Sequence, residues 1–280
     1  MTPYSSHFDH NNPALNSSII QIEKPSSQQR MKIAILLPVY NESKCIANTF
    51  DEIFLFCQKN PDYHFFFVND GSTDQTKDIL ERKINAVTYH PIDIISYPYR
   101  QGKGGAIQNA ALQLDADYIC FMDGDLAYSL EHLKMLISSL EIYDMVIGCR
   151  NLDRATGGPE DHRANFRNLT LTRKILGKGF NWLTRKILNL RYKDMQAGLK
   201  GFRKEVAKEL FLRQTITGFS FDAELIYIAT KKGYNIGQIP ARVAEDHISK
   251  NSTVNLIKDS IKMFGCLLKI RYNDLMKYYE

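Results

Sequence analysis

Short apolar runs alternate with stretches of helix length through residues 32–150, and this alternation restricts the fold more than any other feature. The apolar runs lie at residues 33–37, 64–68, 92–97, 118–122 and 145–148. Short runs that are largely apolar throughout are typical of strands that helices cover on both sides. The alternation therefore predicts an α/β fold with a mostly parallel central sheet.

Polar loops follow four of the predicted strands, at residues 38–42, 69–74, 101–106 and 123–125. The carboxyl ends of parallel strands meet at one edge of such a sheet, where open α/β folds bind ligands. Each loop alone is equally consistent with an ordinary turn or helix start; Asn41 or Ser43, for example, is expected to cap a helix. Loop 101–106 matches neither the Rossmann glycine pattern nor a P-loop. Because all four loops are expected at the same edge of the sheet, the sequence favours a single ligand site formed by these loops.

Charged side chains in these loops indicate the chemistry of the ligand. Asp123 and Asp125 flank Gly124, and two carboxylates around a small residue can share a divalent cation with substrate phosphates. Asp70 can accept hydrogen bonds from a base or a ribose. Lys103 lies in flexible glycine-rich backbone, which suits a diphosphate. The alternative for residues 123–125 is a strand that ends in a polar turn.

Composition argues against several other classes of protein. The 280 residues are 44% hydrophobic and 24% charged, with a net charge of +5. These values are typical of a soluble globular protein, and the charge is too small to indicate nucleic acid binding. Five cysteines without a close pair indicate thiols in a reducing compartment. With neither an apolar signal core nor an apolar run of about 20 residues, the sequence predicts a cytoplasmic protein.

The loop motifs resemble the inverting glycosyltransferases of family 2, which have the GT-A fold. The resemblance is carried by Pro-Val-Tyr-Asn-Glu at 38–42, Val-Asn-Asp-Gly-Ser-Thr-Asp at 68–74, Gly-Lys-Gly-Gly-Ala at 102–106 and Asp-Gly-Asp at 123–125. Residues 194–202 and 219–225 resemble the polyprenyl- or dolichyl-phosphate hexosyltransferases. Within that branch, the motifs are more similar to the glucosyltransferases than to the mannosyltransferases.

This resemblance implies roles for individual residues. Asp123 and Asp125 match the pair that holds Mg²⁺ or Mn²⁺ on the diphosphate, and Gly124 matches the residue that lies against the ribose. Arg150 and Lys250 match basic positions near the diphosphate and the acceptor phosphate. The positions that match those holding the nucleoside are Pro38, Tyr40, Glu42, Val68 and Asp70.

Three positions depart from the family's pattern. Asn69 stands where a second Asp is common, and Ala127 stands where the mannosyltransferases can supply a further Gln to the metal site. Ala244 stands where an Arg is expected, and Arg242 can replace it only if the loop shifts.

A basic segment at residues 163–193 bears on the acceptor. It contains nine Lys or Arg residues and no acid, interspersed with large apolar side chains. This pattern favours a surface for an anionic lipid, with Arg173 expected to contact the acceptor. A solvated helix face and, more weakly, a nucleic acid surface are the alternatives. The nine are Arg163, Arg167, Arg173, Lys174, Lys178, Arg185, Lys186, Arg191 and Lys193.

Two acids, Asp222 and Glu224, lie in a predicted helix that runs to Lys232. One of them is expected to face the donor pocket, where it would stabilise the sugar or act as a base for a hydroxyl acceptor. The alternative is a helix cap and a surface acid. Asp222, with Asp125 and Arg150, forms the candidate catalytic set.

The last stretch, residues 254–279, predicts one long helix. Its apolar stripe is expected to pack on the domain, or to lie on a membrane surface or against a membrane subunit. The stripe consists of Ile257, Ile261, Phe264 and Leu268.

Together these features predict a flexible tail at 1–30, a GT-A domain at 31–253 and an amphipathic helix at 254–280. The expected activity is transfer of a hexose from a nucleotide sugar to a polyprenyl or dolichyl phosphate, with inversion at the anomeric carbon. UDP-glucose is the first expected donor and GDP-mannose the second. The expected location is the cytoplasmic face of a membrane, without nucleic acid. Alternatives are a family 2 transferase acting on a glycan or protein hydroxyl, and a non-catalytic membrane-docking subunit that binds nucleotide sugars.

Overall fold

The computed structural model describes residues 31–87, 91–150, 152, 171–192, 194–241 and 256–280. It gives only the backbone for residues 171–178, 180 and 256–260. The described residues belong to one compact unit that extends from Met31 to Glu280. The predicted tail at 1–30 lies outside the described residues.

Strands and helices alternate through most of this unit. The strands are β1 Ile33–Val39, β2 Tyr63–Asp70, β3 Ile92–Tyr97, β4 Tyr118–Met122, β5 Met145–Cys149, β6 Leu199–Arg203 and β7 Ile236–Pro240. The helices are α1 Ile46–Lys59, α2 Thr76–Asn85, α3 Lys103–Gln113, α4 Glu131–Leu140, α5 Leu171–Leu188, α6 Lys204–Arg213, α7 Phe221–Lys231 and α8 Leu256–Leu275.

The seven strands form one sheet in the order β3-β2-β1-β4-β6-β5-β7. All neighbours pair in parallel except β6, which is antiparallel to both β4 and β5. The prediction of an α/β fold with a mostly parallel sheet is therefore confirmed. Sequence reasoning missed β6, because Lys200 and Gly201 interrupt its apolar pattern.

Two hydrophobic cores cover the two faces of the sheet. Leu36 of β1 packs in the core that includes residues of α3, α6, α7 and α8, whereas its neighbours Ile35 and Leu37 pack in the core of α1 and α4. Successive residues of a strand face opposite sides, so a strand covered on both faces is apolar along most of its length. Packing on both faces stabilises the sheet, and the loops at its edge remain available to form a site.

Helix α8 packs on the domain through a different face from the predicted one. Leu267 and Ile270 are completely buried in the core, while Ile261, Phe264 and Leu268 of the predicted stripe are 68%, 40% and 51% exposed. The helix therefore uses one apolar face for the domain and leaves a second one in solvent. Among the described residues, no helix combines the length and the hydropathy that crossing a membrane requires.

Candidate active site

The polar loops meet at one edge of the sheet, as predicted. Asp70 ends β2, Asp123 and Asp125 follow β4, and Lys103 begins α3. Parallel pairing of β1 with β2 and with β4 brings the carboxyl ends of these strands together.

Asp123 is held from two sides. Its backbone amide donates to the carbonyl of Gly198 at 3.0 Å, and its carboxylate lies 2.6 Å from the ammonium of Lys103. A Cβ at Gly198 would lie 1.9 Å from the Asp123 carboxylate, so only glycine allows this approach. The segment before β6 therefore forms one wall of the site.

Asp125 lies in a tight turn beside Asp123. Its Oδ1 atom accepts a hydrogen bond from the Ala127 amide at 3.1 Å, and Leu126 has a φ of +53°. A Cβ at Gly124 would lie 2.8 Å from the Pro38 carbonyl oxygen, so the turn packs directly against the loop after β1. Close packing of backbone against backbone positions both carboxylates.

A buried group of charges lies next to Asp123. The fully buried ammonium of Lys200 is 2.8 Å from Asp222 and donates to the Ala197 carbonyl at 2.6 Å. Burial raises the pKa of Asp222, although the positive charges of Lys200 and Lys103 counteract this effect. Sequence reasoning did not identify Lys200; a lysine within an apolar stretch was the available signal.

Lys103 carries its charge within this group. Burial disfavours its ammonium form, but the carboxylates of Asp123 and Asp222 outweigh burial and raise its pKa. Lys103 is therefore protonated at neutral pH and presents a positive charge where Asp123 faces the site.

Asp70 organises the glycine-rich loop. Its two carboxylate oxygens accept hydrogen bonds from the amides of Gln101 at 2.6 Å and Gly102 at 3.0 Å. Gly102 has a φ of +86°, a conformation that L side chains rarely adopt. A carboxylate has further acceptor positions, so this role is compatible with a nucleoside contact.

The loop after β1 joins the loop after β2. Asn41 has a φ of +55°, and its side-chain oxygen accepts from the Thr73 amide at 2.8 Å. The predicted cap by Asn41 or Ser43 is wrong: α1 begins at Ile46 and has no side-chain cap. Asn41 instead fastens the two loops to each other.

The residues expected at the nucleoside differ in their environments. The guanidinium of Arg100 stacks over the Tyr40 ring at 4.0 Å. The Glu42 carboxylate accepts from the Cys45 thiol at 3.1 Å. Val68 is completely buried, so its side chain supports the sheet and presents no surface to a ligand.

Arg150 lies at the end of β5 and is fixed by a buried carboxylate. Its Nε and one terminal nitrogen donate to the two oxygens of Asp194 at 2.7 and 2.9 Å. Burial disfavours the charge of Arg150, but its hydrogen bonds and charge pairing with Asp194 raise the pKa. Asp194 is a positioning partner that sequence reasoning did not identify.

Some predicted residues cannot be placed. The side chain of Arg173 and the whole of Lys250 lie outside the described residues, as do Arg242 and Ala244.

The chemistry of the site fits a divalent cation. Asp123 and Asp125 supply the oxygen ligands that Mg²⁺ and Mn²⁺ prefer, and the ammonium of Lys103 on Asp123 shows that this carboxylate attracts positive charge. The described part of the chain contains no cluster of three or more His, Cys, Asp or Glu arranged for a metal. Within that part of the chain, the carboxylates of Asp123 and Asp125 are therefore the groups that suit such an ion.

Comparison with known proteins gives consistent matches. Residues 34–211 match the family described as Glycosyl transferase family 2. A dolichyl-phosphate beta-glucosyltransferase of Trichomonas vaginalis (ALG5C) is 30% identical over 88% of this chain and 73% of its own length. The dolichyl-phosphate beta-glucosyltransferase of Saccharomyces cerevisiae is 25% identical over 98% of this chain and 84% of its own length.

Solved structures share the fold at lower identity. Glucosyl-3-phosphoglycerate synthase from Mycobacterium tuberculosis, solved with UDP, is 17% identical, with a TM-score of 0.58 over 86% of this chain and 80% of its own. Mannosyl-3-phosphoglycerate synthase from Rubrobacter xylanophilus is 17% identical, with a TM-score of 0.60 over 88% of this chain and 74% of its own.

Proposed function

Because this chain belongs to glycosyltransferase family 2, in the branch of the dolichyl-phosphate β-glucosyltransferases, we propose that it transfers glucose from UDP-glucose to a polyprenyl phosphate. The observation that carries this proposal is the turn of Asp123, Gly124 and Asp125 at the sheet edge, with Lys103 placed 2.6 Å from Asp123. This arrangement suits the diphosphate of a nucleotide sugar.

The donor would bind across the four loops. Asp123 and Asp125 would hold Mg²⁺ or Mn²⁺ on the diphosphate, with Lys103 as a further positive charge. When bound, the metal neutralises charge that builds on the leaving diphosphate. Tyr40 and Asp70 face the same edge and would contact the nucleoside, together with Pro38 and Glu42.

The acceptor chemistry follows from the charges at the site. A polyprenyl phosphate is anionic at neutral pH, so its oxygen can attack the anomeric carbon without first losing a proton. Attack on the face opposite the diphosphate would invert that carbon. What the acceptor needs is positive charge, which Arg150, Arg173 and Lys250 would supply. With such an acceptor, Asp222 would transfer no proton, and its buried pair with Lys200 supports a positioning role.

A membrane surface is the proposed site of action. Helix α8 exposes the apolar side chains of Ile261, Phe264 and Leu268. Helix α5 packs against α8, and the side chain of its Trp182 is 61% exposed. An amphipathic helix with an aromatic neighbour and basic flanks is suited to the headgroup region of an anionic bilayer. We place this contact at the cytoplasmic face, where nucleotide sugars are available.

The activity is tested with purified protein, Mn²⁺ or Mg²⁺, a labelled nucleotide sugar and a short polyprenyl phosphate. We expect labelled lipid with UDP-glucose, and a loss of about 100-fold or more in Asp125→Asn. Asp78→Asn, on the exposed surface of α2, is the matched control and should retain full activity.

Several outcomes would contradict the proposal. Product with GDP-mannose alone would make the protein a mannosyltransferase. Product only with a glycan or protein hydroxyl would reassign the acceptor. Binding of UDP-glucose without any transfer would support the non-catalytic subunit. Full activity of Asp125→Asn would overturn the metal site.

Membrane contact is tested separately by flotation with vesicles that contain phosphatidylserine. We expect Phe264→Ser combined with Leu268→Ser to reduce binding, whereas Leu212→Ser, a control 59% exposed on α6, should not. If the α8 double variant and Leu212→Ser bind the vesicles equally well, α8 does not make the membrane contact.

A further inference from the structure

The carboxylate of Glu224 in α7 is completely buried, and it accepts four hydrogen bonds. Thr215 donates its amide at 3.0 Å and its hydroxyl at 2.6 Å, and Ile216 donates its amide at 2.8 Å. The fourth donor is the hydroxyl of Tyr279, at 2.7 Å. A carboxylate has about four acceptor positions, so each donor fills one that would otherwise be buried without a partner.

Helix α8 and the turn after it contact the same short segment. Lys269 donates to the Thr215 carbonyl at 3.1 Å, and the side-chain Nδ2 of Asn273 donates to the Thr215 hydroxyl at 2.9 Å. Asn273 also donates to the Tyr279 hydroxyl at 3.2 Å. Since Tyr279 is itself completely buried, this network holds the connection between α6 and α7 in one position.

That connection packs directly against the glycine-rich loop of the candidate site. The Gly105 amide donates to the Thr217 carbonyl at 3.1 Å, and Gln214 donates to the Gly104 carbonyl at 2.9 Å. A Cβ at Gly102 would lie 2.6 Å from the Thr217 oxygen. The connection therefore supplies hydrogen bonds to this loop beside those of Asp70 and restricts its shape.

The same loop carries the groups proposed for the donor. Lys103 reaches Asp123 from it, and the Gly102 amide donates to Asp70. We propose that Tyr279 is a positioning residue for nucleotide-sugar binding: through Glu224 it holds the connection against which the donor loop is built. This inference rests on the proposed function, because it takes Lys103 to bind the diphosphate.

The test compares two adjacent tyrosines. Tyr279→Phe removes only the hydroxyl that donates to Glu224, while Tyr278→Phe removes an exposed one. We expect Tyr279→Phe to speed hydrogen exchange in a peptide covering residues 101–108 by about fivefold or more. We also expect it to raise the KM for UDP-glucose by about 3- to 10-fold with little change in kcat, because fewer molecules have the loop in place before binding.

A control separates this role from a general loss of stability. Ile53→Val, in α1 on the other face of the sheet, should lower the thermal midpoint without changing either readout. If Tyr279→Phe shows the same hydrogen exchange and the same KM for UDP-glucose as the wild-type protein, the inference is wrong. Equal changes in Ile53→Val and Tyr279→Phe at equal loss of stability would also overturn it.

A second variant keeps the test valid if Tyr279→Phe fails to fold. Lys269→Met removes the exposed contact with the Thr215 carbonyl, and Lys208→Met on α6 is its control. Faster exchange in the first variant alone supports the coupling, and identical exchange in both refutes it. Hydrogen exchange needs no substrate, so it still reports on the coupling if the wild-type protein proves not to bind UDP-glucose, a result that would refute the proposed function alone.

Discussion

Lys200 is a completely buried charge whose removal should strongly lower stability. Its ammonium is completely buried, lies 2.8 Å from Asp222, donates to the Ala197 carbonyl and lies 5.6 Å from the centre of the Phe121 ring. Lys200→Met keeps most of the side-chain volume but leaves the Asp222 carboxylate buried without its partner. Breaking one side of a buried ion pair costs about 3–5 kcal/mol.

This cost can be measured by urea denaturation and by the thermal midpoint. For a domain of this size, 1 kcal/mol corresponds to about 2–4 °C, so we expect the midpoint to fall by about 6–20 °C. Lys204→Met is the matched control: Lys204 also pairs with an aspartate, Asp115, but its side chain is 44% exposed. Its loss should leave the midpoint nearly unchanged, because water solvates and screens an exposed ion pair.

A double variant tests the reason for the cost. Lys200→Met combined with Asp222→Leu replaces the pair by apolar side chains, and it should recover most of the stability lost in Lys200→Met alone. Stability that falls by the sum of both single changes would refute the unpaired carboxylate as the cause. An unchanged midpoint in Lys200→Met would refute the burial argument itself.

Three further predictions concern the site and its loops. Gly198→Ala should lower kcat by about 100-fold, because its Cβ would displace the Asp123 carboxylate; circular dichroism should show an intact fold. Arg150→Lys should lower stability by about 1–2 kcal/mol in urea titrations, because lysine keeps the charge but not the paired hydrogen bonds to Asp194. Burial raises the pKa of Asp74, but its hydrogen bonds outweigh burial and lower the pKa from 3.8 to about 2. Its stabilising contribution is therefore present above about pH 4 and lost towards pH 2, so the difference between wild type and Asp74→Asn should shrink over that range.

The central strands and the active edge could be predicted because both depend on local sequence. Strands covered on both faces are apolar along their central residues, and β1, β2 and β4 show this pattern. Asp70, Lys103 and Asp123 stand at the ends of predicted elements, so the topology of a parallel sheet was enough to bring them together.

The remaining features depend on contacts distant in sequence. Lys200 lies in a strand only because Asp222 and the Ala197 carbonyl satisfy its charge, and no local pattern shows those partners. Helix α8 has two apolar faces, and sequence periodicity does not tell which of them the domain covers. Leu267 and Ile270 are buried because α8 packs against α5 and belongs to the same core as α7.

The antiparallel direction of β6 has a consequence for how such an enzyme can diversify. β5 ends and β6 begins at the active edge, so residues 150–198 leave the sheet and return to it at the same place. A connection of this kind can lengthen, shorten or change its sequence without altering any strand pairing. This connection can therefore vary between relatives in length and sequence, provided that its two ends keep Arg150 on Asp194 and Gly198 on Asp123.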